Sequence, residues 1–156
     1  MERLNRNVPR NVYQASQETR IQAARMLGRK SEMLIRIVVS VAVLIAALIH
    51  LEQWFLVFRD NVLMGPAMLA NFVGGVVIGM LVLVWQHWLP FVLAVLFGAA
   101  TLGAFLVSTT PMGLFGVHEH WTIWEVFVAA VVEIVAIVGG LVGLRAYRNH
   151  PVAVRA

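Results

Sequence analysis

The chain has 156 residues, 60% of them apolar and 13% charged, with twelve Lys/Arg, eight Asp/Glu and no cysteine. That length is one domain, and a mean hydropathy of +0.82 excludes the ordinary soluble class. Without cysteine there is no disulfide, thiolate metal site or cysteine nucleophile. The net charge of +4 is unevenly spread. Residues 1–36 hold eight Arg/Lys against three Glu, and Arg145, Arg148 and Arg155 close the chain. Between them lie one cation, Arg59, and five acids: Glu52, Asp60, Glu119, Glu125 and Glu133. This pattern is a topology signal and not a nucleic-acid surface, although the basic arm also suits anionic lipid.

Residues 1–32 are polar and basic. Val12, Ser16, Ile21, Ala24, Met26 and Leu27 give a loose helical period behind Asn11, an N-cap type. This predicts an amphipathic cytoplasmic helix over about 13–30, at the membrane interface or against a partner; a solvated basic tether is the alternative. A signal peptide is not expected, because a long charged segment precedes the apolar run and no small-residue cleavage site follows it.

Four apolar runs follow, at 34–58, 66–86, 89–110 and 122–144. Each matches the roughly 20 residues needed to cross about 30 Å of hydrocarbon. Pro66 and Pro90 suit first helical turns. Short connections make sequential helices antiparallel neighbours. The predicted fold is all-α: an integral membrane four-helix up-and-down bundle over 33–145, preceded by the basic arm and followed by a tail, 146–156. Four spans with Arg-rich ends place both termini in the cytoplasm and the protein in the cell (inner or plasma) membrane. The 59–65 and 111–121 loops then face outward.

Small residues at steps of four mark helix-packing seams. These are Asn71, Gly75 and Gly79 on the second span, Ala99 and Gly103 on the third, and Gly139 and Gly143 on the fourth. Asn71 is expected to hydrogen-bond between helices.

The outward half also gathers His50, Glu52, Met64, Met68, Met112, His118, Glu119, His120 and Glu125, with Glu133 near the midplane of the fourth span. Four readings compete. One is an interfacial belt with Trp54, Trp121 and Trp124. Another is structural: Glu125 or Glu133 pairs with His50, Asn71 or a neighbouring subunit. The third is a metal site from His50, Glu52, His118 and His120, with imidazole and carboxylate for zinc-like ions or thioethers for cuprous copper. The fourth is a b-type haem joining His50 to His118 or His120, or a quinone pocket built from His50, Glu52, Trp54 and Glu125. A carboxylate within an apolar span costs a few kcal/mol, so Glu133 requires a partner or a function.

The motif His50-Leu51-Glu52-Gln53-Trp54, then Asn71, then Gly113-Leu114-Phe115-Gly116-Val117-His118-Glu119-His120-Trp121, then Glu125 and Glu133, resembles a family of small four-span membrane proteins of actinobacterial type. The resemblance covers about residues 45–140. It implies the four-span fold and no particular chemistry.

No nucleophile elbow, P-loop, dinucleotide fingerprint or HExxH spacing is present. The expected function is therefore a non-catalytic accessory or scaffold subunit of a larger membrane complex, or a homo-oligomer. The alternative is a ligand-binding membrane protein whose outward pocket is formed by His50, Glu52, His118, His120 and Glu125.

Overall fold

The computed structural model describes residues 10–118 and 124–149, with the side chains of 10–13, 16, 24, 25, 125 and 149 left aside. It is helical, with no strand among the described residues: α1 Arg10–Gln53, a π-helical turn Trp54–Phe58, α2 Met64–Val84, α3 Leu89–Ser108 and α4 Trp124–Asn149. All four helices are long and apolar enough to cross a membrane.

The chain divides into two compact units, Met1–Leu34 and Ile35–Ala156. In the first, α1 begins at Arg10, so Asn11 lies inside the helix and not at its cap. Thr19 and Ser31 return their hydroxyls to the carbonyls of Ala15 and Gly28, each at 2.8 Å. Ile21, Met26 and Leu27 are exposed.

The second unit holds the bundle. Its core is Val39, Val43 and Ala46 of α1, Val82 of α2, Phe91, Ala94 and Phe97 of α3, and Ala136 of α4. Small residues let the backbones approach. A methyl group at Gly75 would lie 2.8 Å from Ala47 Cβ and 3.0 Å from the Phe97 ring, and one at Gly79 would lie 2.8 Å from Leu44. At that crossing the Ser40 hydroxyl donates to the Gly79 carbonyl across 2.8 Å. Gly139 abuts Val39, and Gly143 abuts the Phe91 ring. The third span departs from expectation: Ala99 is exposed and Gly103 has open space at its Cβ position. Gly98 meets α4 instead, its Cβ position 2.9 Å from the Glu133 carbonyl, and Gly140 answers from α4 against Val95. Spacing alone finds a stripe of small residues; which stripe faces a neighbour depends on how the helix is rotated.

The helix ends are satisfied by polar groups. Asn61 Oδ1 accepts from the amides of Leu63 and Met64 at 3.0 and 2.9 Å, starting α2. Where α2 stops, Arg36 reaches across from α1 and donates from Nη1 to the carbonyls of Val82 (2.9 Å) and Trp85 (3.0 Å). A cation there also meets the negative end of the helix dipole. Its guanidinium lies 4.7 Å from the Phe91 ring centroid, a cation–π distance. Ser108, Thr109 and Thr110 bond back to the last carbonyls of α3.

The outer faces of the bundle stay apolar: Leu48, Val73, Val77, Leu96, Ile134 and Val138 are all exposed. Such a surface is stable against lipid tails and not against water.

Candidate functional site

The helices do not close around one another along their whole length. A cavity of about 230 Å³ opens among residues of α1, α2, α3, α4 and the loop that follows α3. Each helix sends at least one polar side chain to its wall: His50 and Gln53 from α1, Asn71 from α2, Thr101 and Ser108 from α3, Glu133 from α4. The remaining wall is apolar and includes Met64, Met68, Phe58, Phe105, Leu114 and Phe115. An apolar wall with a few convergent polar groups is the usual composition of a small-molecule site.

His50 is buried, and its Nδ1 lies 2.7 Å from the Ala46 carbonyl one turn back. A carbonyl oxygen only accepts, so Nδ1 carries the proton and, in the neutral ring, Nε2 holds the lone pair. The ring meets Phe97 edge-on, with centroids 6.2 Å apart. Helical periodicity directs the ring into the bundle and leaves Glu52, two residues on, exposed on another face.

Glu133 is 3% exposed. In the cavity wall it is joined by Thr101, a residue that the sequence does not single out. The Thr101 hydroxyl lies 2.9 Å from the Phe97 carbonyl and 3.2 Å from that of Gly98. Its one proton is thus committed to backbone carbonyls, which leaves Glu133 incompletely satisfied by the protein. The carboxamides of Asn71 and Gln53 make no hydrogen bond to another described residue, so the interhelical bond expected of Asn71 is not formed among them. Nor is any fully buried side-chain N or O among the described residues without a partner. The polar atoms of Asn71 and Gln53 are therefore accessible from the cavity and not sealed in protein.

The loop over this end is a tight reversal. The amides and carbonyls of Leu114 and Val117 bond reciprocally at 2.9 Å, with Phe115 at φ 50° and Gly116 at φ 79° between them. Positive φ at both central positions is the mark of a type I′ reversal, where glycine is at ease and phenylalanine is strained. The closed turn sets Leu114 and Phe115 at the wall of the cavity.

The five residues proposed from sequence as an outward pocket are placed differently. His50 lines the cavity, whereas Glu52 is exposed outside it. His118 is also exposed, with Nε2 donating to the Pro111 carbonyl at 3.2 Å. His120, Glu119 and Trp121 lie outside the described residues, as does the side chain of Glu125. Glu133 and Asn71, considered separately from that pocket, line the same cavity as His50. Among the described residues no three His, Asp or Glu side chains gather into a metal-ligand set, and His50 is the one histidine of the wall.

At the other end of the bundle His87 stacks on Trp85, with centroids 5.0 Å apart, and sits 5.3 Å from Trp88 and 6.3 Å from Tyr147. Its Nδ1 accepts from the Leu89 amide at 3.2 Å, so this histidine shapes the turn between α2 and α3. Comparison of the chain with protein-family models, with curated proteins and with solved structures finds no match to any of them.

Proposed function

We propose that this multi-pass membrane protein binds a small ligand in its bundle cavity, with His50, Asn71, Thr101 and Glu133 as the polar contacts. The observation that carries this reading is the convergence of a polar side chain from every helix on one cavity within otherwise apolar spans. Buried polar groups in a membrane are costly and mark functional sites by default. A volume of about 230 Å³ lies below the roughly 300–1,000 Å³ of drug-sized ligand sites, so it suits a small molecule or the headgroup of a larger one.

The accompanying topology is an up-and-down bundle. As α2 advances from Gly75 to Gly79, its close neighbours on α1 retreat from Ala47 to Leu44 and Ser40, which supports antiparallel neighbours. The Arg-rich ends favour cytoplasmic termini and a cavity in the outward half of the cell membrane. Absence of native cysteine makes this simple to test. A cysteine at the exposed Val62 should react with an impermeant maleimide on intact cells, and one at Gln86 only after permeabilisation. The reverse pattern would invert the topology.

For the ligand itself, protein purified in mild detergent without chelator is denatured and its small molecules identified by mass spectrometry, optical spectrum and elemental analysis. A stoichiometric molecule that is lost in a folded Ala104→Trp variant, in which the cavity is filled, is the expected result. A bare protein whose melting temperature no small amphiphile moves would overturn the reading. If a companion chain co-purified with that bare protein, the accessory-subunit role would take its place.

A further inference from the structure

The chemistry of the wall narrows the ligand further, resting on the ligand-binding reading above. We propose that the cavity takes a lipophilic organic cation, an amine or quaternary ammonium, with its charge against the Glu133 carboxylate.

Charge is the first argument. Glu133 is 3% exposed on a membrane-spanning helix, and it makes no ion pair with another described residue. No Lys or Arg stands among the described residues of the wall. An uncompensated carboxylate in such a setting is stable only with a proton or a counter-charge. An anionic ligand, such as a lipid phosphate, would meet no cation and one acid.

The remaining polar atoms agree with this sign. His50 has committed its Nδ1 proton to Ala46, so in the neutral ring the other end offers a lone pair. Asn71 and Gln53 bring carboxamides whose oxygens accept. Phe58, Phe105 and Phe115 add aromatic rings, whose negative faces attract ammonium groups. The same carboxamides also carry NH2 donors, so what favours an ammonium group over a neutral quinone is the uncompensated Glu133 carboxylate with aromatic rings in the same wall.

The test uses the full chain in lipid nanodiscs and three probes: benzyltrimethylammonium, its neutral isostere neopentylbenzene, and benzene-1,4-diol as a neutral hydrogen-bonding competitor. Specific binding is the part absent from Ala104→Trp. The cation should bind at least tenfold more tightly than either neutral probe. Glu133→Gln should abolish that preference, whereas Glu133→Asp, which keeps the charge, should retain most of it. A neutral probe binding as tightly as the cation, or Glu133→Gln keeping the preference, would overturn the cation assignment and leave ligand binding intact. If none of the three bound the wild-type protein, both readings would fall. The wild-type comparison decides even if Glu133→Gln does not fold.

Discussion

The two ends of this bundle are made from similar helices and differ in how they are filled. Around Val39, Val82 and Phe91, the first two wholly buried, glycines bring the backbones together and Arg36 closes the end of α2. His50, Asn71 and Glu133 instead line a cavity of about 230 Å³, although α3 and α4 still meet closely at Gly98 beside the Glu133 carbonyl. Both ends are apolar outside, so lipid contact does not distinguish them. The difference lies in the residues that point inward. Glycine facing an aromatic ring or a β-branched side chain closes a crossing, while the polar side chains of four helices border the space that is left. A membrane bundle therefore stores its stability in one half and its chemistry in the other.

The largest expected effect falls in the closed half. Gly143→Leu drives a side chain into the Phe91 ring and should cost about 3 kcal/mol, the upper part of the range for overpacked cores. The control is Gly103→Leu, which enters open space and should stay within about 0.5 kcal/mol of wild type. Thermal unfolding in detergent reads both, and equal losses would show that the contrast between closed and open surfaces is wrong.

Next is Arg36→Met, which keeps a long side chain but removes the donors to the Val82 and Trp85 carbonyls. Hydrogen bonds from charged groups contribute about 1.5–3 kcal/mol, so a loss of about 2 kcal/mol is expected. Hydrogen exchange should rise first at the C-terminal turn of α2. If protection there were unchanged, the guanidinium would not be holding that end.

The smallest effect belongs to the cavity end. Phe115→Asn places a residue that tolerates left-handed backbone before Gly116, completing the favoured pair for a type I′ reversal. It should raise stability by about 1 kcal/mol, the low end of the cost of a left-handed non-glycine residue, measured by thermal unfolding. A loss would mean that the Phe115 ring contributes more to the cavity wall than its strained φ of 50° costs.

How far the sequence could be read follows the same division. His50, Asn71 and Glu133 are conspicuous as polar residues in apolar runs, and each lines the cavity. Thr101 is not conspicuous, because threonine is common in membrane helices and bonds to its own backbone, as it also does here with Phe97. Glu52 and His118 stand close to His50 in a list of outward residues, yet neither lines the cavity. One is on another face of α1, and the other belongs to a loop held by Pro111.

Hydropathy by itself determined that four helices of membrane length would form and roughly where each would begin and end, because the bilayer thickness and the need to satisfy backbone hydrogen bonds leave a long apolar run no other form. Rotation of each helix about its axis was decided only in the tertiary structure. An almost uniformly apolar helix has little amphipathic signal to say which side faces its neighbours. The choice of Gly98 over Ala99 and Gly103, and of Thr101 beside Glu133 in the cavity wall, came from how ridges and small residues interlock, a property of four helices together and of none alone.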